Sequence, residues 1–157
     1  MQGLRVIWVG KTRRGYAREG VAEFVKRIKP LAELECIEIR AASHSGRDAE
    51  AAVRTESEAI LKRLGPGESI VLLNEGGRQL SSRALAGLLG RMMEQHPGPV
   101  SFVLGGAYGV DERVEARAAE SVSLSRMTFP HQLARVILLE QLYRALTLRA
   151  GHAYHHD

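Results

Sequence analysis

The chain lacks most of the marks of extracellular and membrane proteins. It has one cysteine, Cys36, in 157 residues. A lone thiol excludes an internal disulfide and any multi-cysteine zinc centre, and its ordinary reading is a small strand residue in a reducing compartment. No apolar run is long: the longest near the C-terminus, Val136 to Leu139, is far too short to span a bilayer. The N-terminal residues lead straight into an alternating apolar segment, so no secretory signal is expected and a cytoplasmic location fits. Repeats, low-complexity tracts and interdomain linkers are missing too. The expectation is a single domain, residues 1–157, of a size that can bury a core.

Charge is balanced rather than extreme. The formal net charge is +4, and arginine supplies most of the basic residues. That permits an anionic partner such as RNA without requiring one, and arginine is the better residue for planar phosphate contacts.

What the chain does have is alternation. Leu4–Val9, Leu34–Ile39, Ser69–Leu73, Val100–Leu104 and Ser121–Leu124 read as strands. Between them lie helical segments near Tyr16–Lys29, Arg47–Leu64, Ser82–Gln95 (with Ser81-Ser82 as N-cap) and after Asp111, and a helix Gln132–Arg149 follows the last strand. Gly65-Pro66-Gly67 and Pro97-Gly98 stop two of the helices. Strands separated by helices predict an α/β fold with a mostly parallel sheet flanked by helices. Ligands of such sheets bind beyond the carboxyl ends of strands. Three loops there stand out: the turn after Leu73, the GGAYG turn at Gly105–Gly109, and SRMTFPHQ from Ser125. If their strands are neighbours, they form one crevice.

Two phosphate motifs fail. Gly10-Lys11-Thr12 ends like a P-loop, but Arg5 stands where that motif needs glycine. Gly105–Gly109 lacks the G-x-G-x-x-G spacing of a dinucleotide site, and tight strand-to-helix turns use glycine for structural reasons as well.

The last helix carries Leu133, Val136, Ile137, Leu142, Tyr143 and Leu146 at helical spacing, with Leu138 and Leu139 widening the apolar arc beyond what one sheet face needs. A core helix and a helix shared with a second copy both remain open, with the homodimer favoured. Glu140 and Arg144 stand four apart, the spacing of a surface ion pair, whereas a functional Arg144 would face the crevice.

The stretch SLSRMTFPHQLARVILLEQLYRA, with the ending AYHHD, FVLGGAYG and LLNEGGRQLSS, resembles the ribosomal RNA large subunit methyltransferase H family of the SPOUT superfamily, over essentially the whole chain. The resemblance implies small homodimers whose C-terminal part threads a deep trefoil knot, and an S-adenosyl-L-methionine pocket formed by that knot. It implies methylation of N3 of a pseudouridine in large-subunit (23S) rRNA, in the helix 69 stem-loop facing the small subunit, on the assembled ribosome. By position the cofactor pocket falls on Leu73, Gly105, Leu124, Ser125, Arg126, Met127, Thr128 and Phe129, and Tyr154-His155 falls near the target base. The turn reads Leu73-Asn74 where the family leads one to expect Leu-Asp, which removes a charge there.

An imide N–H becomes a nucleophile only as its proton leaves, so a base or an anion-stabilising cation is needed. His131 directly follows the cofactor loop and titrates near neutrality, though a loop carbonyl could equally satisfy it. Tyr154 and His155 could close over substrate or simply fray, and His152, His155 and His156 could suggest adventitious metal binding. Arg144 is the candidate for anion stabilisation, with Arg126 and Arg135 as further RNA contacts. No metal is expected. A non-catalytic RNA-binding module on this fold, and a tRNA methyltransferase, remain the alternatives.

Overall fold

The computed structural model describes residues 3–43 and 48–157. Its elements run β1 (Gly3–Val9), α1 (Gly15–Ile28), β2 (Glu33–Ile39), α2 (Ala49–Arg63), β3 (Ser69–Gln79), α3 (Ser82–Gln95), β4 (Val100–Leu104), α4 (Glu112–Arg117), β5 (Glu120–Ser123) and α5 (His131–Ala150). The expected start of α2, Arg47, lies outside the described residues. Two caps are formed as the sequence requires: Ser81 Oγ accepts from the Ala84 N–H and Asp111 Oδ1 from the Arg113 N–H, each at 3.0 Å.

All five strands pair in parallel in one sheet, in the order β2-β1-β4-β3-β5. Alternate side chains divide between two cores. Val6, Trp8, Val71 and Phe102 pack with α1, α3 and α5 on one face, where Leu89, Leu138, Leu139 and Leu142 are fully buried. Ile7, Val9, Ile70, Leu72 and Val103 pack with Ile60 and Leu64 at the end of α2 and with Val114 of α4 on the other. Helix α5 lies against both α1 and α3. A Cβ on Gly20 of α1 would come within 2.8 Å of Val136 Cγ1, so glycine lets those two helices close.

The main departure from expectation is β3. It continues to Gln79 instead of ending at Leu73. Leu73 and Arg78 are both register partners of Val122, so Asn74–Gly77 stand off the ladder while the strand resumes beyond them. Gly77 permits the return: a Cβ there would lie 2.7 Å from the backbone of Ser121 and Val122. The stretch Asn74-Glu75-Gly76-Gly77 reads as a turn from composition, and long-range pairing with β5 overrides that reading.

Candidate functional site

Because β4, β3 and β5 are neighbours, their three carboxyl-end loops do meet. They enclose a cleft of about 520 Å³. Its apolar surface comes from Leu72 and Leu73 of β3, Leu104 of β4, Val110, Leu124 and Phe129. Gly105–Gly109 forms one wall as a closed turn, in which Gly109 donates its N–H to the Gly106 carbonyl at 3.0 Å and adopts φ +79°. A Cβ on Gly105 would meet Gly109 carbon at 2.9 Å and Val110 Cγ1 at 3.0 Å, and one on Gly106 would collide with Glu56 Oε1. These glycines are required by the turn's own packing. The opposite wall is held by two hydroxyls: Ser123 donates to the Ser125 carbonyl at 2.8 Å, and Ser125 Oγ accepts from the Met127 N–H at 3.0 Å. Tyr108 and Met127, 55% and 74% exposed, stand at the rim.

The cleft's charge is one-sided. Glu75 and Glu115 line it, and among the described residues no lysine or arginine does. A phosphate-bearing ligand would find no cation there, whereas a cationic one would find carboxylates.

Of the residues expected to hold a cofactor, Leu73, Gly105, Leu124, Ser125, Met127 and Phe129 line this cleft, as does His131. Arg126 and Thr128 are exposed and lie outside its lining. Arg144, Tyr154 and His155 are also outside it and form a separate cluster. Arg144 Nη1 is 3.1 Å from His155 Nδ1, and its guanidinium sits 4.8 Å from the centre of the Tyr154 ring. That ring meets Tyr143 edge-on at 4.7 Å. Arg144 also pairs with Glu140 at 2.6 Å, and the hydrogen bond it donates to that carboxylate raises its pKa, so it stays a cation. His155 Nε2 lies 3.0 Å from Asp157, which Arg83 grips through two hydrogen bonds of 2.7 and 2.5 Å. Arg83 first, and His155 second, pull the Asp157 carboxyl down to about 2. Among the described residues no group of three His, Cys, Asp or Glu side chains could hold a metal ion.

Arg135 corrects an expectation. It is 3% exposed and cannot contact RNA: its guanidinium donates to the Val9 carbonyl at 2.6 Å and to Thr12 Oγ1 at 2.8 Å, and lies 5.1 Å from the Trp8 ring centre. Glu75, Glu115, Val110 and Tyr108 were not singled out from sequence. Tyr108 sits within the GGAYG signal, whereas the position of Glu115 on α4 depends on packing that no local pattern reports.

Residues 2–155 match the family described as "Predicted SPOUT methyltransferase". The chain is 40% identical over 154 residues to "Ribosomal RNA large subunit methyltransferase H" of Geobacter sp. (strain M21), covering 98% of this chain and 99% of that protein. The protein of the same name from Gloeobacter violaceus is 43% identical over 153 residues, covering 98% of each. The chain belongs to the ribosomal RNA large subunit methyltransferase H family of SPOUT methyltransferases. Two solved structures share the fold of this SPOUT chain. One is a "Probable Methyltransferase from Bordetella pertussis Tohama I", with TM-score 0.58, 16% identity and coverage of 92% of this chain and 94% of that one. The other is a "probable methylase family protein from Haemophilus influenzae Rd KW20", with TM-score 0.55, 10% identity and coverage of 98% and 70%. Membership in a methyltransferase family implies use of S-adenosylmethionine. The cleft's residues fit that molecule: apolar walls suit an adenosyl group, and carboxylates without opposing cations suit a sulfonium and an ammonium.

Proposed function

We propose that this SPOUT methyltransferase transfers a methyl group from S-adenosylmethionine to N3 of a pseudouridine in the helix 69 stem-loop of large-subunit rRNA, on the assembled ribosome. It does so in the cytoplasm, as a homodimer of single-domain chains. The observation that carries the reading is the cleft at the ends of β3, β4 and β5, which has apolar walls, bears Glu75 and Glu115, and has no lysine or arginine in its lining among the described residues. The relatives' name supplies the substrate class.

S-adenosylmethionine, when bound, supplies a methyl group already activated on a sulfonium. Leu73, Leu124, Met127 and Phe129, with the backbone of the Gly105 turn, hold the adenosyl part and exclude water from it. Glu75 and Glu115 favour the cationic end. With donor and acceptor held together at this cleft, positioning would supply most of the rate enhancement. The N3 proton must leave; His131 at the cleft, or Tyr154 and His155 from the tail, can take it, and the Arg144 cation stabilises the resulting anion.

Tyr154, His155 and Arg144 do not line their own chain's cleft. A homodimer accounts for this if the tail of one copy completes the cleft of the other. Leu133, Val136 and Ile137 of α5 are only partly buried and lie in sequence just beyond the cleft residues Phe129 and His131, which gives such a dimer an apolar seam. The trefoil knot implied by the resemblance belongs to the same proposal: β5 lies outside β3, and α5 returns to pack on α1 and α3.

Mass spectrometry of large-subunit rRNA from cells lacking the protein tests the substrate: the methylated pseudouridine should vanish, and an unchanged level would refute the assignment. Calorimetry with S-adenosylmethionine separates the enzyme from an RNA-binding module, since the folded dimer of a mere binding module takes up none.

A further inference from the structure

The turn Gly10–Arg14 resembled a phosphate loop and failed the motif, and the cleft leaves it without a role. It is tied down at Gly10, Thr12, Arg13 and Arg14. Gly10, at φ +87°, donates its N–H to the Ile39 carbonyl at 2.7 Å. Buried Arg135 fixes Val9 and Thr12 from beneath. Gln132 Oε1 accepts from the backbone N–H groups of both Arg13 and Arg14, at 2.9 and 2.6 Å. The main chain is therefore rigid, while the side chains of Lys11, Arg13, Arg14 and Arg18 are all exposed. Among the described residues none of these four makes an ion pair, although arginines elsewhere on the surface, such as Arg27, Arg78 and Arg113, are paired with carboxylates. From Gly10 to Arg18 there is no acidic residue.

The anchors also place the turn. Gln132 and Arg135 are in the first turns of α5, and Gln132 is the residue after His131, which lines the cleft. Lys11, Arg13 and Arg14, with Arg18 on the first turn of α1, thus lie next to the end of α5 that lines the cleft, and among the described residues that lining has no lysine or arginine. Resting on the function proposed above, we propose that Lys11, Arg13, Arg14 and Arg18 grip the phosphate backbone of the rRNA substrate, with Gln132 and Arg135 setting the turn's distance from the cleft. The cleft handles a cationic cofactor and the turn handles the polyanion, so the two charges are sorted onto adjacent surfaces. Because Gln132 binds main-chain N–H groups, replacing the side chains leaves the turn in place.

The test is the full-length Lys11→Ala/Arg13→Ala/Arg14→Ala variant, assayed on unmethylated ribosomes and bound to a naked fragment of the same rRNA over a range of salt. We expect KM for ribosomes to rise about tenfold with kcat within about twofold, and the salt slope of fragment binding to fall by about 2–3, one contact per cation removed. Calorimetric affinity for S-adenosylmethionine should not move. Lys62→Ala/Arg63→Ala, at the far end of α2, should change neither readout. Gln132→Leu should raise KM as the triple variant does, and Gln132→Glu, which keeps an acceptor, should restore it. An unchanged KM and slope overturn the proposal, as does a loss seen with ribosomes but not with the naked fragment, which would mean a protein contact. A wild-type protein that methylates no rRNA would remove the proposed function, and fragment binding would still decide the role of the turn.

Discussion

The cleft and the tail cluster are built by opposite means. The cleft is made of glycines that let strands and turns approach, two serine hydroxyls pinning a loop, and apolar side chains from β3, β4 and the loops beyond them. The tail cluster is made of charge, with Arg144 between Glu140, His155 and the Tyr154 ring, and Asp157 between His155 and Arg83. Burial and close packing give the first a shape that exists before any ligand arrives. The second is half-buried around Arg144, Glu140 and His155, and only its outer pair, Arg83 with Asp157, is exposed and can be re-formed elsewhere at small cost. If the cleft takes the cofactor and the tail cluster the acceptor, as proposed, a preformed donor site goes with a more adjustable acceptor side.

Five experiments would break or sharpen that contrast. The largest effect belongs to Gly77→Ala. Its Cβ would meet β5 backbone that cannot move aside, so urea unfolding should show a loss of about 3 kcal/mol, at the upper end of overpacking; a loss below about 1 kcal/mol would show that the cleft wall is softer than described. Next comes Tyr154→Ala, which should lower turnover at least about tenfold while S-adenosylmethionine affinity stays within about twofold, because the residue acts on the acceptor side. Mixing that variant with the cofactor-site variant Gly105→Val should restore roughly a quarter of wild-type activity by statistical exchange of symmetric dimers. No recovery would place the tail at its own chain's cleft.

Gly105→Ala is milder. The Gly109 backbone must shift to clear the new Cβ, and calorimetry should show cofactor affinity falling about fivefold, near 1 kcal/mol, with turnover at saturation nearly kept. The smallest effect concerns pH. The Asp157 carboxyl is held at about 2 in the folded chain, below its ordinary value. A depressed carboxylate stabilises above its unfolded pKa, and that contribution is lost as pH falls from about 4 through 2. Tail docking, followed by the NMR shifts of Tyr143 and Tyr154, should loosen across that window, and Asp157→Asn should flatten the response. A wild-type profile that is flat there would detach Asp157 from the tail's position.

Much of the fold was legible because its signals are local. The buried strand Val100–Leu104 was delimited to the residue, and Ser81 and Asp111 announced the helices they cap. The second half of β3 was not, since Asn74-Glu75-Gly76-Gly77 carries turn chemistry and only pairing with Val122 and Ser123 makes Arg78-Gln79 a strand. The crevice was anticipated from loop positions. Its membership came from the family resemblance, and its sign of charge from neither, because Glu115 reaches the cleft only through the packing of α4. Arg135 misled for the same reason: an arginine on an amphipathic helix reads as surface until the Val9 carbonyl and Thr12 are brought to it.

The contact of Gly20 with Val136 has a consequence for how the chain is made. Helix α1 leaves a translating ribosome well before α5, yet the surface it closes on belongs to α5, more than a hundred residues later. Until α5 appears, α1 holds an apolar flank with nothing to cover it. Docking of the two is therefore a late event of high contact order, slow compared with local helix formation and exposed to mispairing while synthesis is under way.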